Sequence, residues 1–407
     1  MTPPFLQASD LRGVARLTTD AVAGLASLVE AMHARITSAP RLPFVGDAQP
    51  PRERTSGITG LVYRTVGGVT RLVGGSAEAL FGLLEPLLAH ATPSQASRPE
   101  REAVLCALNG VVGDHLAATA NPLAITMKFC HAGLPLLMNQ EALRVALPHA
   151  GPKLLVLIHG LCMNHLQWHR DEHDHGLALA RDGGYTPIYL HYNSGLSIAA
   201  NGRMLAAQMQ RLVDTWPVPI ERLVLLGHSM GGLVARSALH QAGLDTREGL
   251  RWPALVGDLV CLGSPHHGAP LERAGHGIDL LLGAAPYAAP LARLGKVRSA
   301  GITDLRRGRI VGDPAGADQQ RGVSPVNLPA GVRCYAVAAS LGRSRGHLKA
   351  RLWGDGLVPV DSALGHHRDP GRRLAFDAQR QVVVDETGHL DLLSSAEVYA
   401  HLKRWLA

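Results

Sequence analysis

Aromatic side chains are scarce: Phe, Trp and Tyr make up 4% of the 407 residues. That scarcity bears first on nucleic acid, because single strands are held largely by stacking bases on aromatic faces. The chain is basic, with a formal net charge of +7, and its arginines and lysines gather at 298–309, 343–351 and 368–380. With almost no aromatics between them, these clusters read as a solvated basic face, attraction to an anionic membrane or polymer surface being the other reading. Nucleic acid is not expected as a partner. Cysteine is also sparse. Cys106, Cys130, Cys162, Cys261 and Cys334 are scattered, mostly within apolar runs, which excludes a disulfide framework and points to reduced core thiols in a cytoplasmic chain. Met1-Thr-Pro-Pro-Phe5 has no basic head followed by an apolar segment, so no signal peptide is expected. No uncharged apolar stretch reaches the length needed to span a bilayer.

What is present is a hydrophobic content of 46%, enough for one large domain with an appendage. Residues 1–120 read as a helical region. Leu11, Val14, Ala15, Val22, Leu25, Leu28, Val29, Met32 and Ile36 fall at helical spacing, and a proline-rich linker follows at 40–51. Further helical patterns cover 58–90, punctuated by Gly67-Gly68 and Gly74-Gly75. A capping box at 97–100 precedes a helix over 104–118. The amphipathic middle of this region suits either packing on a protein surface or peripheral membrane contact. From 121 to 407 the pattern changes to short apolar runs at 125–130, 143–147, 153–158, 186–191, 223–226, 255–262, 332–338 and 381–384. Helical stretches at 176–182, 201–215, 231–242 and 396–406 are interleaved with them. This alternation predicts an α/β domain with a mostly parallel central sheet and a site beyond the carboxyl ends of its strands.

The central motif is Gly227-His-Ser-Met-Gly231, placed between the apolar run 223–226 and a helix-forming segment for which Gly243 is the expected C-cap. A serine on so tight a strand-to-helix turn has its hydroxyl exposed. The flanking glycines remove Cβ atoms that would clash, and the helix N-terminus favours developing negative charge. Ser229 is therefore the expected nucleophile. A second match, Gly342-Arg-Ser-Arg-Gly346, leads into no core-facing helix and is set aside.

The run 154–158 ends in His159-Gly160-Leu161, where a second oxyanion donor belongs; the hole is assigned to the backbone N–H groups of Leu161 and Met230. His159 itself reads as a brace for the turn. Asp355, in Gly354-Asp-Gly-Leu-Val-Pro359 after the run 332–338, is the candidate acid, with Asp361 as competitor. His389, in the loop between the last strand and the last helix, is the candidate base. Trp168 and Tyr192-Asn-Ser-Gly195 lie on neighbouring loops, as packing or as substrate contacts. His165, His169, His173 and His175 form either a polar rim or a set of imidazole ligands, and no metal is assigned. The apolar excursion 271–294 is a lid or a core-packing insertion.

Together, His159-Gly160, Gly227-His-Ser-Met-Gly231, Gly263-Ser-Pro-His-His-Gly268, Asp355-Gly-Leu-Val-Pro359 and Gly388-His-Leu-Asp391 resemble the α/β-hydrolase superfamily, and within it bacterial lipases and the PGAP1-like esterase group. The likeness covers about residues 150–407 and none of the N-terminal third. It implies an α/β-hydrolase fold with a helical cap inserted at about 268–310. It also implies a serine hydrolase of small-molecule or lipid carboxylic esters that uses a triad in the chain order Ser229, Asp355, His389. Some related lipases hold calcium through the aspartate matching Asp391 and a glutamine four residues on; here that position is Ser395, so calcium is not expected. No cofactor is expected. The same triad would also serve an acyltransferase, and the remaining reading is a scaffold that docks on membrane or polymer with incidental hydrolysis. Acyl length and oligomeric state are not fixed by the sequence.

Overall fold

A computed structural model describes residues 9, 12–17, 19, 99–244, 249–269, 299–312, 326–342 and 354–407. The chain divides into two compact units, Met1–Ser94 with Ala118–Leu123, and Gln95–Ala117 with Ala124–Ala407. In the first unit residues 12–17 are helical. Asn121 donates from Nδ2 to Gly13 O (3.0 Å) and accepts at Oδ1 from Leu123 N (2.9 Å). The helices expected within 20–90, the second Gly-x-Ser-x-Gly match from residue 343 onward, and the cap over 270–298 lie outside the described residues.

The second unit runs α1 (Pro99–Ala118), β1 (Lys128–His131), β2 (Leu134–Pro135), α2 (Gln140–Ala146), β3 (Lys153–Ile158), α3 (His175–Gly183), β4 (Thr186–His191), α4 (Ile198–Thr215), β5 (Arg222–His228), α5 (Met230–Leu244), β6 (Val256–Leu262), α6 (Ala300–Arg307), β7 (Arg333–Ala339), β8 (Gln381–Val384) and α7 (Ala396–Leu406), with short helical turns between. The strands form one sheet in the order β2-β1-β4-β3-β5-β6-β7-β8. From β4 across to β8 every pairing is parallel; β1 joins β4 and β2 antiparallel. Residues Leu154 to Ile158 on β3 are all fully buried. A strand covered on both faces has no polar side to show, so the run lacks the alternation of a half-exposed strand.

On one face Leu155, Leu157, Val224, Leu226, Val260 and Leu262 form a continuous core with Leu179 of α3 and Val398, Leu402 and Leu406 of α7. Helices α4 and α5 pack on one another, and α5 packs on β5 and β6. The amino-terminal edge of the sheet is tied by Asp258 of β6, whose fully buried carboxylate accepts from Arg222 Nε (3.0 Å), Arg333 Nε (2.8 Å), Arg333 Nη2 (2.9 Å) and Tyr335 OH (3.1 Å). The opposite edge is left for chemistry.

Two local expectations fail. The run 143–147 is not a strand: Asn139 caps a helix there by accepting from Ala142 N (2.8 Å), and within that helix only Leu143 is buried, Leu147 being buried just beyond its end. Five apolar-leaning residues carry too little period to separate strand from helix, and the cap decides. Helix α5 also runs through Gly243 to Leu244 instead of stopping before it. Among the described residues no helix is long and apolar enough to cross a membrane.

Candidate active site

Ser229 directly follows β5 and directly precedes α5, and its φ is +54°. The left-handed region is costly for a residue with a side chain, of the order of 1–2 kcal/mol, so something must hold it there. Its N–H donates to Leu262 O (2.8 Å) and its carbonyl accepts from Gly232 N (3.2 Å). The turn also presses against β3. A Cβ on Gly231 would run into the Ile158 carbonyl, so only glycine lets the start of α5 pass so close to the neighbouring strand.

The turn after β3 abuts the same place: an ideal Cβ on Gly160 would stand 3.1 Å from the Cβ of Ser229. Leu161, fully buried, follows it. Met230 opens α5, so its N–H has no partner within the helix. The turn is fixed from the loop after β4. Tyr192 OH donates to His159 O (2.8 Å), its ring stacks on the His159 ring at 4.4 Å, and Ser194 Oγ accepts from Cys162 N (3.0 Å). Tyr192, Ser194 and Trp168 are thus packing residues, each at most 1% exposed.

Asp355 follows β7 and His389 follows β8, at the same carboxyl edge. His389 Nδ1 lies 2.7 Å from Asp355 Oδ2, with both side chains fully buried. The other carboxylate oxygen, Oδ1, accepts from Leu357 N (3.0 Å) and Val358 N (2.8 Å), and His389 N donates to Asp355 O (3.1 Å). The carboxylate is therefore fully engaged, and its strongest bond orients the imidazole. With Nδ1–H given to Asp355, Nε2 is the lone-pair nitrogen; it is buried and has no hydrogen-bond partner among the described residues. Gly263, at φ +57°, makes room for the pair, since a Cβ there would stand 3.2 Å from both Asp355 Oδ2 and His389 Cε1. Asp361, the competitor, is half exposed and lies 3.7 Å from His366 Nδ1.

One residue of the site escaped the sequence reading. His228, beside the serine, is fully buried; its Nε2–H donates to His389 O (3.0 Å), and the two rings lie 4.8 Å apart. It ties the end of β5 to the loop bearing His389. It occupies a variable position of the Gly-x-Ser-x-Gly pattern, so nothing in the motif singles it out.

The other histidines separate into structural roles. His266 Nδ1 accepts from Arg236 Nη1 (3.1 Å), and His267 Nε2–H donates to Gly365 O (3.0 Å). The run 165–175 does not share a helix face. His165 faces His191 (3.2 Å between Nδ1 atoms), whereas His173 meets His175 (2.7 Å), whose Nε2 reaches Leu392 O (2.9 Å). Asp391 accepts from Gly388 N (3.1 Å) and from Arg170 Nη2 (3.4 Å). Among the described residues, the one cluster with metal-ligand spacing is Glu102, Cys106 and His191.

Burial holds several imidazoles neutral. It pulls His159 down to about 3 and His175 to about 4, and it pulls His228 and His266 well below the ordinary value. In the unfolded chain each protonates near about pH 6.5. Below that pH the unfolded state binds protons that the folded state refuses, so stability present above it is lost progressively on acidification. The thermal midpoint should hold between about pH 8 and 7 and fall steeply between about pH 6 and 4; a flat midpoint down to the lower limit would contradict the buried neutral histidines.

Residues 152–315 match the family described as PGAP1-like alpha/beta domain; Leu161, Ser229 and Met230 lie within the match, Asp355 and His389 beyond it. No curated protein matches the chain. Among solved structures, the mature lipase BlEst2 of Bacillus licheniformis is 20% identical, with 64% of this chain and 94% of that one covered, at a TM-score of 0.40. The Pyrococcus furiosus esterase Pf2001 is 14% identical over 64% and 83% of the two chains (TM-score 0.36). Lipase 1 from Pelosinus fermentans is 14% identical over 63% and 97% (TM-score 0.36). Over residues 152–315, then, the chain is similar to the PGAP1-like alpha/beta domain family.

Proposed function

We propose that this protein is a serine hydrolase of carboxylic esters, with Ser229 as nucleophile, His389 as general base and acid, and Asp355 as the group that sets the imidazole. The observation that carries the reading is that a serine held at φ +54° and a fully buried His389–Asp355 couple at 2.7 Å both follow strands of one sheet at its carboxyl edge. A constrained elbow serine and an oriented imidazole whose Nε2 has no partner among the described residues are the two halves of an acyl-transfer centre.

His389 Nε2 takes the proton of Ser229 Oγ as the oxygen attacks the ester carbonyl. The N–H groups of Met230 and Leu161 receive the oxyanion. The tetrahedral intermediate collapses, the alkoxide leaves with the proton from His389, and an acyl group remains on Ser229. Water then attacks that ester, giving its proton to Nε2, and the acid is released as the proton returns to Ser229. Contacts of this kind tighten on substrate binding. No step needs a cofactor. The substrate class is a small-molecule or lipid ester.

Rapid mixing with a nitrophenyl ester tests the two-step scheme. A burst of nitrophenol equal to the enzyme concentration, followed by slower turnover, is expected where deacylation limits the rate. Absence of hydrolysis across a panel of esters of rising acyl length would contradict the proposal.

A further inference from the structure

We infer that Glu102, Cys106 and His191 form a binding site for a zinc-type divalent cation that clamps helix α1 to the carboxyl end of strand β4. Glu102 and Cys106 stand four residues apart on α1 and so share one face of the helix. His191 is the last residue of β4. All three are buried, at 5%, 1% and 2% exposure, and one ligand atom from each lies within 4.8 Å of the other two.

The distances suit coordination better than direct hydrogen bonding. His191 Nε2 and Glu102 Oε2 are 3.5 Å apart, longer than an ordinary N–H···O contact of about 2.7–3.2 Å. Two ligands each about 2.0–2.1 Å from a tetrahedral ion stand about 3.4 Å apart. The carboxylate's other oxygen, Oε1, faces Arg101 Nη1 at 3.4 Å, which leaves Oε2 for the cluster. Behind the ligands, His191 Nδ1 meets His165 Nδ1 at 3.2 Å. With Nε2 given to an ion, Nδ1 carries the proton and donates it to His165, the outer partner that fixes the tautomer of a metal-bound imidazole.

The donor set names the ion class. Thiolate, imidazole and carboxylate together suit zinc and exclude calcium and magnesium, which take oxygen ligands. Charge also balances: a dication with one thiolate and one carboxylate is neutral, so the buried site carries no net charge into the interior. Binding releases the thiol proton of Cys106 to solvent as the S–metal bond forms. Three protein ligands leave the fourth position of a tetrahedral ion to water. None of the ligands belongs to the Ser229–His389–Asp355 set, and the proposal does not depend on the ester-hydrolase reading.

The test uses the full chain, loaded with zinc sulfate, dialysed and analysed by elemental mass spectrometry, and in parallel loaded with cobalt(II). About one zinc per chain is expected for the wild type, and at least about tenfold less for Cys106→Ser and His191→Ala. The cobalt form should show a thiolate-to-metal charge-transfer band that Cys106→Ser abolishes and Cys334→Ser retains. The wild-type measurements decide the matter even where a variant fails to fold. Failure of the wild type to retain zinc, a cobalt spectrum without the thiolate band, or a band that survives Cys106→Ser would overturn the site.

Discussion

Replacing Ser229 by alanine is expected to lower kcat for a short nitrophenyl ester by about 10⁴-fold or more, with little change in thermal midpoint. A loss of that size corresponds to about 5.5 kcal/mol of transition-state stabilisation, which no rearrangement of binding contacts around one hydroxyl supplies. Fold and activity separate here because the hydrogen bonds that hold the turn among the described residues are main-chain. The Ser229 N–H bond to Leu262 O and the Gly232 N–H bond to Ser229 O are both main-chain, and alanine keeps them. The same geometry makes glycine a second probe. At φ +54° a Cβ is strained, so Ser229→Gly should be equally inactive yet more stable than Ser229→Ala by up to about 1 kcal/mol. Inactive variants with this order of midpoints would tie the lost activity to the hydroxyl and the strain to the elbow. Retention of more than a tenth of the activity in either variant would remove Ser229 from the mechanism.

The second large effect is expected at Asp355→Asn, a loss of about 10⁴-fold in kcat at neutral pH. The argument follows from which oxygen does what. Oδ1 accepts from Leu357 N and Val358 N, and Oδ2 accepts from His389 Nδ1. An asparagine must keep its oxygen on the two main-chain donors, since an amide NH2 cannot accept from them. Its NH2 then faces His389 Nδ1, which has to become the acceptor, and the ring proton moves to Nε2. The base is thereby lost without moving an atom by much. Asp355→Ala also breaks the Leu357 and Val358 contacts, so it should lose stability as well, whereas Asp355→Asn should not. Nitrogen-15 shifts of the His389 ring in the asparagine variant should report the proton on Nε2. Activity within tenfold of wild type in Asp355→Asn would sink the tautomer argument.

Much of this arrangement is legible in the sequence, for a physical reason. Stretches of strand buried on both faces, such as 154–158 and 259–262, must be uninterrupted apolar runs. The turns at their carboxyl ends must be glycine-rich where backbones crowd, as Gly231 does against Ile158. Those two constraints pointed to Ser229, Asp355 and His389 as side chains at one edge. Features that depend on distant partners were not legible. The segment 143–147 is a helix because Asn139 caps it; His228 acquires its role from a carbonyl 161 residues away. Glu102 and Cys106 meet His191 only because α1 packs beside β4, and no local spacing announces a ligand set split across so much chain. Histidines at 165, 173 and 175 looked like a cluster by spacing, yet a short helical turn at His165–Trp168 and a new helix beginning at His175 send them to different neighbours.

The account rests on a single reactive hydroxyl at the β5–α5 turn. Covalent labelling of the intact protein with a fluorophosphonate, followed by peptide mass spectrometry, addresses it directly. One adduct per chain is expected, on the peptide containing Ser229, and it should be lost when His389 is replaced by alanine. An adduct on another residue, or continued ester hydrolysis by protein that takes up no label, would contradict it.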